Sequence, residues 1–112
     1  MEHIQKGIAG ETKACEYLKE KGYLIIEQNY RAGRGEIDII ASFNNCLFFI
    51  EVKYRKNNKF GFPETFVTDK KLSMIHKTAQ HYVVEKDWQG RIQFDIISIT
   101  GDELPIHIQD IS

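Results

Sequence analysis

Residues 35–53 constrain the fold most strongly, because their pattern is that of a single β-hairpin. Asn44 and Asn45 stand at its centre, and asparagine tolerates the positive φ that a two-residue hairpin turn requires. Two runs with the apolar, β-branched character of strands flank them: 37–40 and 47–52. A turn at the two asparagines predicts antiparallel strands in which Phe43 faces Cys46.

This register brings charged side chains together on one face of the hairpin. Asp38 falls opposite Glu51 and Glu36 falls opposite Lys53, and side chains alternate between faces along a strand. The other face is expected to be a core face, formed by Ile37, Ile39, Phe48, Ile50 and Val52. Two carboxylates directly across a ladder repel each other, so the pattern predicts a divalent-metal site with a lysine beside it.

Length and composition predict one cytoplasmic globular domain over residues 1–112. The chain is 42% hydrophobic and 12% aromatic, which is typical of a folded chain with one core. No apolar run reaches the roughly 18 residues of a membrane span, and the N-terminus lacks a signal-peptide pattern. Cys15 and Cys46 have no metal-type spacing, so both are expected to be free thiols in a reducing compartment.

The net charge of −1 hides an uneven distribution along the chain. Residues 31–77 hold nine basic and five acidic side chains, a net charge of +4, whereas residues 78–112 hold two basic and six acidic, a net charge of −4. A local basic patch is typical of proteins that bind nucleic acid. A solvated surface of mixed charge explains the same pattern almost as well.

The first element is predicted to be a helix that ends at Gly22. Its apolar stripe is Ile4, Ile8, Cys15 and Leu18. Glu11 occupies the middle of this stripe, where a carboxylate is costly unless it is paired or bound to a cation. A functional Glu11 and a Glu11 that is rotated to the stripe edge and paired with a lysine are equally consistent with the pattern.

The remaining elements are strands and one more helix. Thr68 is a credible N-cap for a second helix that continues to about Glu85 and exposes Lys70, Lys71 and Lys77 on its outer side. Strands are predicted at 23–31, 92–99 and 104–111. His107, between two isoleucines of the last strand, is expected to be structural or exposed.

The element order is α-β-β-β-α-β-β, and the segments GETKACEYLKEKGY, NYRAGRGEIDIIA, FFIEVKYR, FGFPETFVTDKK and RIQFDIISI cover nearly the whole chain. With a helix glutamate, a strand aspartate and Glu-x-Lys on the next strand, the chain resembles the PD-(D/E)xK nuclease superfamily. Within that superfamily it resembles the YraN-like family of small bacterial proteins, and it is similar to archaeal Holliday-junction resolvases. The resemblance implies an α/β fold with a restriction-endonuclease-like core, a mixed central β-sheet flanked by helices.

The resemblance also implies roles for individual residues. The implied catalytic residues are Glu11, Asp38, Glu51 and Lys53. Mg²⁺ or Mn²⁺ would be held by Asp38 and Glu51, with the Val52 carbonyl as a third oxygen and Glu11 binding directly or through water. Lys53 would orient the attacking water or stabilise charge. The superfamily's proline before the aspartate is replaced by Ile37, and Glu36 lies beside the site as a ligand or as a partner of Lys53.

The expected function is that of a metal-dependent endonuclease that hydrolyses DNA phosphodiester bonds, with branched structures as candidate substrates. The expected phosphate contacts are Arg31, Arg34, Arg55, Lys56, Lys59 and Lys71. The small size and the absence of a global basic charge favour dependence on a homodimer or a protein partner. Two alternatives stay open: a nucleic-acid-binding protein or partner subunit with an idle site, and a purely structural buried ion network.

Overall fold

The computed structural model describes residues 2–55, 68–101 and 103–111, with side chains from Ala9 onward. The described part contains helices α1 (Glu2–Glu20) and α2 (Asp69–Glu85) and strands β1 (Leu24–Ala32), β2 (Gly35–Phe43), β3 (Cys46–Arg55), β4 (Arg91–Thr100) and β5 (Ile106–Ile108). The predicted α/β class and the order α-β-β-β-α-β-β are confirmed. No helix of the described residues is both long and apolar enough to cross a membrane.

The five strands of the described chain form one mixed sheet in the order β1-β2-β3-β4-β5. The pairs β1–β2, β2–β3 and β4–β5 are antiparallel, and β3–β4 is parallel. A parallel pair needs a crossover connection, and the chain makes it through α2.

The predicted hairpin turn is confirmed. Asn44 and Asn45 adopt positive φ values of 50° and 61°, and Phe43 pairs with Cys46. The register of β2 on β3 then continues regularly as far as one apolar pair, Ile39 with Ile50. Local turn chemistry therefore determines the alignment of the two strands that carry the candidate site.

Two apolar layers cover the two sides of the sheet. The α1 layer consists of Ala14, Cys15, Leu18, Ile39, Ala41, Cys46, Phe48, Ile50, Ile97 and Ile99. The α2 layer consists of Ile37, Ile40, Leu47, Phe49, Ile75, Ala79, Tyr82 and Phe94. The prediction that Ile37 shares the core of Ile39 is wrong: Ile37 packs in the α2 layer. Cys15 and Cys46 are buried free thiols, as expected.

A close contact between Gly35 and Thr78 fixes α2 against the beginning of β2. A Cβ atom at Gly35 would overlap the hydroxyl oxygen of Thr78 and come within 3.3 Å of Met74 Cγ. Only glycine permits this approach, which brings the first two turns of α2 over the open end of the hairpin.

The C-terminal strand is shorter than predicted. The expectation of a strand over 104–111 is wrong, because only Ile106–Ile108 pairs with β4. Asp110 has a φ of 54°, and its amide donates to Asp95 Oδ1 over 2.9 Å rather than to a neighbouring strand. The Asp95 side chain thus interrupts the pairing after β5, and the next residue, Ile111, donates its N–H to the Phe94 carbonyl of β4 over 2.8 Å.

Candidate active site

A cavity of about 470 Å³ lies where the open end of the hairpin meets the start of α2. Asp38 and Glu51 reach it from β2 and β3, and Thr68, Lys70 and Lys71 reach it from the first turn of α2. The two acidic residues selected from the hairpin pattern therefore line the same cavity. The structure adds a wall of basic and polar groups to it from a distant part of the chain.

The Asp38 carboxylate interrupts the ladder between β2 and β3. Val52 N–H donates to Asp38 Oδ2 over 2.8 Å, and regular pairing stops one residue earlier. The predicted ladder pairs of Asp38 with Glu51 and of Glu36 with Lys53 therefore do not form. The physical reason is that a side-chain oxygen accepts from an amide of the partner strand where the ladder would continue.

Burial makes the Asp38 carboxylate unfavourable in its charged form. Burial raises the pKa of Asp38 from 3.8 to about 6, against the lowering effect of the Val52 amide. The negative charges of Glu51, Glu11 and Glu36 contribute to this same rise in the pKa of Asp38. A cation placed at this carboxylate would relieve both effects.

Glu51 has an ammonium group on one oxygen and no hydrogen-bond partner on the other. Lys71 Nζ lies 3.1 Å from Glu51 Oε1, whereas Lys53 Nζ lies 3.9 Å from Oε2, beyond hydrogen-bond distance. The Glu51 side chain is only 11% exposed, and its buried Oε2 lacks a hydrogen-bond partner. Lys71 is exposed, as predicted for the outer side of α2, but its ammonium also reaches Glu51 in the cavity, a contact that the sequence did not predict.

Glu36 is not the partner of Lys53. Its Oε2 lies 3.3 Å from Arg31 Nη2 across the β1–β2 ladder, and both side chains are exposed. Arg34, in the tight connection between these strands, lines the cavity. Arg31 therefore forms an ion pair with Glu36 beside the cavity, and Arg34 contributes a positive charge to the cavity wall.

Glu11 lies next to this site without lining the cavity. It is half-buried on α1, and Asn29 Nδ2 donates to its Oε2 over 3.2 Å. Asn29 itself has a φ of 55° in β1. The hydrogen-bond partner of Glu11 is thus an asparagine amide, whereas the prediction of a paired Glu11 expected a lysine. The negative charge of Glu11 also raises the pKa of Asp38.

The donor set suits a weakly bound hard cation. Within residues whose side chains are described, no three or more His, Cys, Asp or Glu side chains converge as a metal-binding group. Mg²⁺ is typically held by one or two carboxylates and keeps several waters. Asp38 and Glu51, with a buried oxygen that lacks a hydrogen bond, match that requirement. Val52 is seen to use its amide here, and the role of its carbonyl as a ligand stays a prediction.

The expected phosphate contacts divide into four groups. Arg34 and Lys71 line the cavity, while Arg31 is occupied by Glu36. Arg55 is half-buried at the end of β3. Lys56 and Lys59 lie outside the described residues. Lys70, which the sequence predicts only as an outer-side residue of α2, also lines the cavity.

A second buried polar cluster lies in the α1 layer. His107 Nε2 is 2.7 Å from Asp95 Oδ2, and His107 Nδ1 is 3.1 Å from the Tyr17 hydroxyl. The Asp95 side chain is fully buried and that of His107 is 5% exposed. His107 is therefore structural, as one of the two expectations held, and connects β5 to β4 and α1.

Comparison with known proteins gives a consistent family match. A model of the uncharacterised protein family UPF0102 matches residues 10–99. A UPF0102 protein of Cytophaga hutchinsonii is 62% identical over 112 residues, covering 100% of this chain and 99% of the relative. UPF0102 proteins of Persephonella marina and Phocaeicola vulgatus are 43% and 42% identical, over 94% and 98% of this chain and 90% and 91% of the relatives.

Proposed function

This chain belongs to the UPF0102 family, and we propose that it is a Mg²⁺- or Mn²⁺-dependent endonuclease acting on DNA, built on a PD-(D/E)xK nuclease core. The observation that carries the proposal is the pair of carboxylates in one cavity, Asp38 with its raised pKa and Glu51 with a buried oxygen that lacks a hydrogen bond. Burial and the neighbouring carboxylates disfavour the charged form of Asp38 in the protein alone, and a divalent cation held by both residues would stabilise it.

Asp38 and Glu51 are the residues that would hold the metal. When bound there, a divalent cation lowers the pKa of a bound water and neutralises charge on phosphoryl oxygens. Val52 N–H fixes the Asp38 carboxylate at 2.8 Å, so one ligand is held in place by the backbone of the strand that carries the other. The mixed cavity wall, with Arg34 and the α2 lysines, suits a phosphodiester, which carries one negative charge.

Lys53 is the residue assigned to transition-state stabilisation. It follows Glu51 on the same strand by two residues, and its side chain is 25% exposed. Its 3.9 Å separation from Glu51 leaves its protons available to an attacking water or a phosphoryl oxygen. Lys53 is not among the residues that line the cavity, so its ammonium would act from beside Glu51 Oε2, where a preorganised positive charge stabilises developing negative charge.

A second candidate function is nucleic-acid binding without cleavage. It is favoured by the absence, within the described side chains, of a larger group of metal-ligating residues. A partner subunit that presents DNA to another enzyme would retain the cavity and its basic wall. Only the endonuclease proposal predicts that replacing Lys53 slows DNA cleavage.

Cleavage of defined DNA substrates by purified protein with Mn²⁺ tests the proposal. The substrates are linear, nicked, flapped and four-way-junction DNA, and the variants are Lys53→Met and Glu51→Gln. Lys53→Met should still bind Mn²⁺ and DNA but lose roughly 10²–10³-fold in cleavage, as for one preorganised electrostatic group. Equal cutting by wild type and both variants would assign the activity to a contaminant. Binding without cutting by the wild type would favour the second function.

A further inference from the structure

Lys71 occupies the position where a cation would compensate Glu51. Its Nζ lies 3.1 Å from Glu51 Oε1, closer than the 3.9 Å that separates Lys53 Nζ from Oε2. Lys53 is a neighbour of Glu51 in sequence, whereas Lys71 comes from the helix on the other side of the cavity. The ion pair therefore spans the space in which a metal and a phosphate would meet.

The backbone of Lys71 is held firmly in this position. Its N–H donates to the Thr68 side-chain oxygen over 3.1 Å in the N-cap of α2. The close approach of Gly35 to Thr78 fixes the helix above β2. Only the side chain of Lys71 is free to change direction, and it is 46% exposed and lines the cavity.

An ammonium and a divalent cation compete for the same carboxylate. Glu51 is 11% exposed, so little water is available to solvate its charge, and Lys71 compensates that charge in the metal-free protein. A doubly charged ion at Glu51 and Asp38 would repel the ammonium at close range. The long side chain of Lys71 would then turn towards other anions in the cavity.

We propose that Lys71 is an exchangeable counter-charge: a divalent metal displaces it from Glu51, and the released ammonium binds a phosphate oxygen of the substrate. This inference rests on the proposed function and adds a residue to it that positions the substrate. Metal binding then makes one cation available for DNA, and DNA binding removes one competitor for the metal. The two ligands must strengthen each other's binding by the same factor.

Titration calorimetry with Mn²⁺ alone tests the exchange without any cleavage. The proteins are wild type, Lys71→Met and the matched control Lys70→Met, which removes the same charge one residue earlier. Both lysines line the cavity, and among the described residues Lys70 has no ion pair. Lys71→Met should bind Mn²⁺ roughly tenfold more tightly, from loss of a competing ion pair and of repulsion. Lys70→Met should change the affinity by less than about twofold, since its charge is better solvated.

A second measurement follows the released ammonium. Binding of duplex DNA is measured with and without Mn²⁺ in a Lys53→Met background, which slows cleavage. Adding Lys71→Met should weaken DNA binding roughly fivefold with Mn²⁺ and by less than about twofold without it, because one phosphate contact forms only after the exchange. Adding Lys70→Met should have the same effect in both conditions.

The outcomes separate this inference from the proposed function. Equal Mn²⁺ affinity in Lys71→Met and Lys70→Met, or weaker binding in Lys71→Met than in wild type, overturns the exchange. A loss of DNA affinity in Lys71→Met that is the same with and without Mn²⁺ also overturns it. If wild type binds Mn²⁺ and cuts DNA in that case, only the role of Lys71 is lost. If none of the three proteins binds Mn²⁺, the metal site and the exchange both fail.

Discussion

Replacing Asp38 by asparagine should make the metal-free protein more stable at pH 8. The pKa of Asp38 is raised from 3.8 to about 6. Its ionisation therefore lowers the free energy of unfolding, and this cost is complete once the pH is above about 6. About two pKa units at 1.36 kcal/mol each correspond to at most about 3 kcal/mol. Asparagine keeps an oxygen that can accept from Val52 N–H but removes the charge. For a domain of this size the gain corresponds to about 10 °C in Tm.

The sign of the effect determines its pH dependence. A raised pKa means that the folded protein holds the Asp38 proton more tightly than the unfolded chain does. Stability from this group is therefore fully present below its unfolded pKa and is lost as the pH rises to about 6. At pH 4 the native carboxyl is already protonated, and the advantage of Asp38→Asn should fall to about 0.5 kcal/mol.

Denaturant unfolding of wild type and Asp38→Asn at pH 4 and pH 8, without divalent ions, measures both values. Glu36→Gln is the matched control, because it removes a neighbouring carboxylate that is exposed and paired with Arg31. That variant should change the free energy of unfolding by less than about 0.5 kcal/mol at either pH. A destabilised Asp38→Asn at pH 8, or a gain of equal size at both pH values, would refute the reasoning.

Three further predictions concern metal, packing and DNA. Saturating Mn²⁺ should raise the Tm of the wild type and leave that of Asp38→Asn unchanged, since a ligand of the native state stabilises it; an equal shift in both, by calorimetry, would contradict the site. Gly35→Ala should cost about 2–4 kcal/mol through its overlap with the Thr78 hydroxyl, and adding Thr78→Ala should restore part of that loss in denaturant unfolding. Arg34→Gln should weaken DNA binding similarly across sequences and reduce the slope of affinity against salt; a loss limited to one sequence would argue against a phosphate contact.

Local chemistry in the sequence was sufficient to predict the order of the elements and the hairpin register from its turn as far as the pair Ile39–Ile50. Asn44 and Asn45 accept positive φ, and this property fixes which residues of β2 and β3 meet. Thr68 caps α2 through its own side chain, so the start of that helix is also a local property. These features depend on interactions between residues close in sequence, which is why pattern and spacing predict them.

The candidate site required the sequence for its acidic residues and the tertiary structure for its partners. Asp38 and Glu51 follow from strand alternation, but the interrupted ladder at Val52 depends on a side chain competing with the backbone. The contact of Lys71 with Glu51 depends on the rotation of α2 about its axis. That rotation is set by the approach of Gly35 to Thr78, two residues 43 positions apart in the chain.

The burial of His107 also depends on contacts between segments that are distant in the chain. Alternation in β5 predicts which side of the strand a residue occupies, but not what covers that side. The opposing surface comes from α1, where Tyr17 lies 3.1 Å from the imidazole, and from β4, which supplies Asp95. The sequence by itself determined the elements, their order and the two carboxylates, because periodicity and turn chemistry act over a few residues. Only the tertiary structure decided which charges meet, because packing between distant segments sets the rotation and the spacing of each element.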